Sequence, residues 1–153
     1  MAVVTINEMH LIGLSLKEKT TNDNGQSSTD CGNLWTEFHT QKHGDIISNK
    51  LSEELLGVYY DYEGDSTKPF YYFIGYKVKK DTAVPEGLQS LLIPAGNYQK
   101  IVAKGKMPDC VINTWKAIWI SNYARTYQMD FEVYDERSSD WNNAEVDVYL
   151  SIK

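Results

Sequence analysis

Cysteine is scarce in this chain: Cys31 and Cys110 are the only two in 153 residues, and they form no C-x-x-C pair. That excludes a disulfide framework, and the two thiols read as small buried side chains near helix starts. Histidine is equally sparse, at three. His39 and His43 stand four apart near the end of a predicted helix, a spacing that can hold a metal, but no third ligand accompanies them. Histidine near a helix C-terminus is favoured by the dipole in any case, so no metal and no cofactor is expected. The G-x-S-x-G, phosphate-loop and dinucleotide patterns are all missing. No apolar run approaches the ~18 residues of a membrane-spanning helix, so no membrane partner is expected. Positive charge is short as well, with 15 Lys and Arg against 21 Asp and Glu and a net charge of −6. The longest basic run is Lys77-Val78-Lys79-Lys80. This argues against direct nucleic-acid binding and leaves an acidic field that suits cationic ligands or basic protein patches. The opening stretch, Met1-Ala2-Val3-Val4-Thr5-Ile6-Asn7-Glu8, has neither the basic nor the apolar part of a secretory signal, so a cytoplasmic setting is expected.

What the chain has in excess is aromatic side chains: 11 Tyr, 4 Trp and 4 Phe. Tyrosine combines an apolar body with a polar tip and suits a wet pocket. The most informative stretch runs from Tyr127 to Tyr134. Tyr127, Met129, Phe131 and Val133 alternate with Gln128, Asp130, Glu132 and Tyr134, the period-2 pattern of a half-buried strand. The odd positions read as a core face, which puts Glu132 and Tyr134 together on the other. A carboxylate beside an aromatic ring on a rigid strand can hold an organic cation.

The length suits a single domain over 1–153 that buries about two-thirds of its unfolded surface. Strand patterns cover 3–16, 55–62, 70–78, 89–103, 127–134 and 144–152, with Pro94-Ala95-Gly96-Asn97 as a break or bulge. Residues 17–29 read as a loop. Asp30 is then a helix N-cap ahead of the stripe Cys31, Leu34, Trp35 and Phe38, and Gly44 is the stop. Asp109 opens a second helix, with Val111, Ile112, Trp115, Ile118 and Trp119 as its stripe. The order is therefore β-α-β-β written twice, with one repeat over about 1–80 and the other over about 88–153. Local echoes support this. Asp30-Cys31 and Asp109-Cys110 open the helices, and Val58-Tyr59-Tyr60-Asp61 echoes Phe131-Glu132-Val133-Tyr134. On that echo Tyr59 corresponds to Glu132, and Asp61 is either a second counter-ion or a rim residue. Alternation along the last strand puts Val146, Val148, Leu150 and Ile152 on the core face and leaves Asp147 and Tyr149 with the Glu132 side. Matching Gly75-Tyr76-Lys77-Val78 to Tyr149-Leu150-Ser151-Ile152 puts Tyr71 and Phe73 on that side too. Large aromatics on a non-core face fit the wall of a ligand cleft.

Several short motifs occur in a fixed order: Gly13-Leu14, Leu34-Trp35-x-x-Phe38, Val58-Tyr59-x-x-Tyr62-Glu63, Val84-Pro85-Glu86-Gly87-Leu88, Ile93-Pro94-Ala95-Gly96-x-Tyr98, Trp115-x-x-Ile118 and Tyr127-x-x-Asp130-Phe131-Glu132-x-Tyr134. In these the chain resembles the GyrI-like family, the effector-binding domain of AraC- and MerR-type transcription regulators. The resemblance implies an α+β fold of tandem βαββ modules with pseudo-twofold symmetry, an antiparallel sheet with helices on one side, and a central ligand cleft. It also implies binding of lipophilic cations, with Glu132 as the central carboxylate. No residues are left over for a DNA-binding domain, so the chain is most similar to stand-alone members, including proteins from integron cassettes that bind cationic drugs.

The site expected on these grounds has Glu132 as counter-ion and Tyr59, Tyr71, Phe73, Tyr134 and Trp115 as walls. At ~4 Å and an effective dielectric of about 20, a charge pair is worth roughly 4 kcal/mol before desolvation. Micromolar binding needs about 8 kcal/mol, so apolar burial must supply the remainder, which favours greasy cations. Two alternatives are carried: a hydrolase of strained cyclopropyl electrophiles with Glu132 as base, and a gyrase-inhibitor type of protein-interaction module. Whether the chain pairs as a homodimer or with another protein is left open.

Overall fold

The computed structural model describes residues 2–153. Eight strands and two helices follow the order β1 (Ala2–Ile6), β2 (Met9–Ser15), α1 (Gln26–Thr40), β3 (Lys50–Tyr60), β4 (Tyr71–Val78), β5 (Gln89–Ile93), β6 (Gly96–Gly105), α2 (Asp109–Trp119), β7 (Met129–Tyr134) and β8 (Ala144–Ser151). The strands form one antiparallel sheet in the order β1-β6-β8-β7-β3-β4-β2-β5. Exchanging the halves reverses this order onto itself, with the β3–β7 pair at its centre. The fold is α+β, as expected, with two related βαββ halves.

One stretch read as a continuous strand, 3–16, is divided in the structure, and the break expected within 89–103 separates two strands. Residues 3–16 split into β1 and β2 around Asn7-Glu8, and 89–103 split into β5 and β6 around Pro94-Ala95. The division has a topological purpose. β1 pairs with β6 of the second half, while β5 pairs with β2 of the first. Each half therefore lends its leading strand to the other's edge. The first helix also begins earlier than predicted, at Gln26 after a left-handed Gly25 with φ 72°. Asp30 is an interior helical residue that accepts from the Gln26 side chain at 2.9 Å rather than a cap. The helix ends at Thr40, and His43 belongs to a separate short 3-10 segment, His43–Ile46.

Both faces of the sheet are buried. On one side the curled sheet encloses Leu11, Leu56, Val58, Phe73, Ile93, Tyr98, Phe131 and Val133. On the other side α1 packs through Leu34 and Phe38 on Ile12, Ile74 and Val78. There α2 packs through Val111, Trp115 and Ile118 on Ala103, Val146, Val148 and Leu150. Directly paired residues of neighbouring strands share a face, and the register settles which residues go where. Glu132 lies opposite Gly57 and Val148, and Tyr59 lies opposite Tyr72. Val146, Val148 and Leu150 are core, but on the Glu132 side of the sheet, not the opposite one as the alternation along the last strand suggested. Tyr149 pairs with Phe131 on the enclosed side. Alternation fixes the two sets of side chains within a strand; only pairing fixes which set faces which layer.

Strands β2 and β4 approach closely at Gly13, whose pairing partner is Gly75. A methyl at Gly13 would collide with the Ile74 carbonyl oxygen and the Gly75 backbone, whereas one at Gly32 in α1 meets nothing within 4 Å. Gly13→Ala should therefore lower unfolding stability by roughly 1–3 kcal/mol. Gly32→Ala should raise it by up to ~1 kcal/mol through helix propensity. Urea unfolding of both variants checks the contrast.

Candidate functional site: a caged carboxylate in an aromatic cavity

The two helices lie apart on the same face, and the gap between them exposes the central strands as the floor of a cavity of about 920 Å³. Trp35 and Cys31 line it from α1, Val111, Ile112 and Trp115 from α2, and Tyr59, Tyr72, Glu132 and Tyr134 from the sheet. Glu132 is 1% exposed. Its carboxylate receives four side-chain donors. Tyr134 Oη and Tyr72 Oη donate to Oε1 at 2.7 and 3.2 Å, and Trp115 Nε1 and Tyr59 Oη donate to Oε2 at 2.6 and 2.8 Å. None of these donors carries a charge. The rings also brace one another. Tyr59 lies 4.8 Å from both Tyr72 and Trp115, and Trp35 meets the Tyr134 ring at 4.9 Å while its Nε1 donates to Tyr72 Oη at 3.0 Å.

Gly57 makes this cage sterically feasible. It sits directly opposite Glu132, and a Cβ there would overlap the Tyr72 hydroxyl and lie 3.1 Å from Glu132 Oε1. Burial raises the pKa of Glu132 above the ordinary carboxylate value of 4.5, and the donors from Tyr134, Trp115, Tyr59 and Tyr72 hold back part of that rise. The phenols of Tyr59, Tyr72 and Tyr134 are pushed well above their usual range, first by burial and then by the adjacent carboxylate, so they remain donors. Burial and the same carboxylate push the Cys31 thiol up, which keeps it unreactive.

Four of the six residues predicted for the site, Glu132, Tyr59, Tyr134 and Trp115, come together here. Tyr71 and Phe73 do not. Phe73 is fully buried in the enclosed core on the opposite face, paired with Val58. Tyr71 stacks on Tyr60 at 5.5 Å and lines a smaller depression with Gly13 and Gln89. The matching kept Tyr71 and Phe73 on the face of Asp147 and Tyr149, as the register does, but that face of β8 is the enclosed one and not the Glu132 side. Tyr72 and Phe70 take the places expected of Tyr71 and Phe73. Trp35 was read as core from its place in a helical stripe, yet Leu34 and Phe38 bury the stripe while Trp35 turns toward the cavity. Asp61, left open as a second counter-ion or a rim residue, does not line the cavity: it sits at φ 54° on the surface, paired with Lys19 at 3.6 Å. His39 stacks on Trp35, and His43 lies 3.9 Å from Glu37. Among the described residues no cluster of three His, Cys, Asp or Glu is arranged for a metal.

A second acid, Asp130, is fully buried two residues earlier on the same strand. Arg125 Nη2 donates to its Oδ2 at 2.6 Å and Tyr62 Oη at 2.7 Å, while the Ser151 backbone N–H donates to Oδ1 at 2.9 Å. The guanidinium lies over the Tyr127 ring at 4.2 Å. Asp130 is thus neutralised by its own arginine, and Glu132 is not.

The raised Glu132 pKa fixes a sign for stability. In the unfolded chain this carboxyl loses its proton near 4.5, and in the folded protein only at higher pH. Between the two values the folded state binds more protons, so this group's contribution is greatest at low pH and falls as pH rises through the raised pKa. Wild type should lose stability relative to Glu132→Gln over that window, as urea midpoints from about pH 4 to about pH 8 would show. Tyr134→Phe, which removes a donor to the carboxylate, should move the window upward.

Comparison with known proteins places this geometry in a family. The model of the integron-associated effector binding protein family matches residues 2–152. YobU of Bacillus subtilis strain 168, whose name assigns it provisionally to transcriptional regulation, is 26% identical over 124 residues, covering 78% of each chain. An integron cassette protein from the mobile metagenome of Vibrio cholerae shares the fold with a TM-score of 0.76 at 24% identity, over 99% of this chain and 95% of that one. SAV2435, solved bound to tetraphenylphosphonium, superposes with a TM-score of 0.78 at 15% identity, over 99% of this chain and 93% of its own. With residues 2–152 matched by the family model, the chain belongs to the integron-associated effector-binding protein family.

Proposed function

We propose that this protein binds lipophilic organic cations in the cavity between its helices, acting as a sensor or sequestering module over 1–153. One observation carries the reading: a buried carboxylate, Glu132, whose four side-chain partners are all neutral donors in a cavity walled by aromatic rings. Removing a carboxylate from water costs several kcal/mol, which four hydrogen bonds offset only in part. A bound cation supplies the missing opposite charge. Each ring facing it adds roughly 0.5–2 kcal/mol, and the apolar lining supplies the balance. The tetraphenylphosphonium bound by SAV2435, which shares the fold, is a ligand of this kind.

The same geometry counts against Glu132 as the base of a hydrolase. To take a proton from water the carboxylate would first have to release one of the four donors that already fill its two oxygens. Among the described residues no helix is long and apolar enough to cross a membrane.

Tetraphenylphosphonium should raise the melting temperature of the wild-type protein, and calorimetric affinity should fall by about tenfold or more, roughly 1.4 kcal/mol, in Glu132→Gln. No stabilisation, or equal affinity in the two proteins, would refute the reading. Protons compete with the cation for this carboxylate. Affinity should therefore weaken as pH drops through the raised Glu132 pKa, and Glu132→Gln should lose that dependence.

A further inference from the structure

Glu132 holds its charge with no acceptor position to spare. An ionised carboxylate offers about four lone-pair directions, two on each oxygen. Here Oε1 receives Tyr134 and Tyr72, and Oε2 receives Trp115 and Tyr59. The Tyr72 oxygen is filled in turn by the Trp35 indole N–H at 3.0 Å. Within the cage itself, acceptor capacity remains only on the hydroxyls of Tyr59 and Tyr134, about one hydrogen bond each. The other acidic groups near the cavity lie toward its mouth. Glu53 is exposed, and Asp135 is engaged by Arg137 at 2.9 Å.

We propose that the cavity selects among lipophilic cations by their N–H count, favouring charges that carry no more than one N–H: quaternary ammonium, phosphonium and tertiary ammonium groups. Primary ammonium groups are disfavoured. The inference rests on Glu132 being the counter-charge for the ligand, and it specifies the chemistry of that ligand. A donor-free cation feels the carboxylate through space and the ring faces directly, and needs no acceptor. A tertiary ammonium has one N–H, which the Tyr59 or Tyr134 oxygen can take. A primary ammonium seated against the cage brings three N–H groups to at most two acceptors there, and a buried donor left unpaired costs enough to weaken binding by roughly tenfold or more. Direct contact with the carboxylate would require displacing one of its own donors.

The test uses one biphenyl skeleton with three head groups: 4-phenylbenzylammonium, its N,N-dimethyl form and its N,N,N-trimethyl form. All three are charged at neutral pH. Calorimetry on the wild-type protein should give similar affinities for the dimethyl and trimethyl forms, with the primary amine about tenfold weaker or more. Tyr59→Phe exchanges the neutral Tyr59 acceptor for a vacated position on the charged Oε2, so the primary amine should gain affinity and the gap should narrow. Tyr134→Phe does the same on Oε1 and serves if the first variant folds poorly. A primary amine that binds wild type as tightly as the trimethyl compound would overturn the selectivity while leaving cation binding intact. So would a gap that persists unchanged in both variants, since head-group hydration alone would then explain it. Failure of all three compounds to bind would overturn the cation reading and this inference with it.

Discussion

A single buried carboxylate organises the centre of this molecule. Glu132 lies on β7 at the seam where the two halves of the sheet meet. Its donors come from both halves: Tyr59 and Tyr72 from the first, Trp115 and Tyr134 from the second. Opposite it, Gly57 leaves the space that the Tyr72 hydroxyl occupies. The cage therefore fixes the position of a charge and also ties β3, β4, β7 and α2 to one point. The donors are preorganised, so a ligand entering the cavity meets a field already in place instead of having to assemble one.

The contrast with Asp130 shows how the two acids divide the work. Both are buried, two residues apart on one strand. Asp130 is held by Arg125, by Tyr62 and by the Ser151 backbone, so its charge is cancelled within the fold. It pins the end of β7 to the end of β8. Glu132 has dipoles around it and no cationic partner in its cage, so its charge is stabilised without being cancelled. A buried ion pair is complete in itself, whereas a carboxylate held by neutral groups still gains from a cation. The cavity is lined both by Arg125 of the completed pair and by Glu132, and the charge left uncancelled at Glu132 gives the space its chemistry.

The helices complete the arrangement by what they leave uncovered. Leu34 and Phe38 seat α1 over β2 and β4, while Val111, Trp115 and Ile118 seat α2 over β6 and β8. Neither covers the central strands. The strand exchange, in which β1 and β5 each cross to the far half, extends the sheet at both edges and lets it curl around the enclosed core. The floor of the cavity is thus backed by a second hydrophobic layer and held rigid.

The alternation around Glu132, the paired helical stripes and the surplus of tyrosine were legible in the sequence because each is a local pattern of period 2 or 3.6. They determined two βαββ halves, a carboxylate on a rigid strand and the company of Tyr59, Tyr134 and Trp115. The register between strands was not legible. Where one face of a sheet is wet, polarity tells the faces apart; here both are apolar, and Phe73 and Tyr72 look equally suited to either. Backbone hydrogen bonds between residues distant in sequence decided that Tyr72 would reach Glu132 and that Phe73 would turn away. The exchange of leading strands divided 3–16 in two, and the seating of α1 through Leu34 and Phe38 turned Trp35 toward the cavity. The sequence by itself determined which side chains were available to the site; the tertiary pairing decided which of them met, because face and register depend on partners that no local pattern encodes.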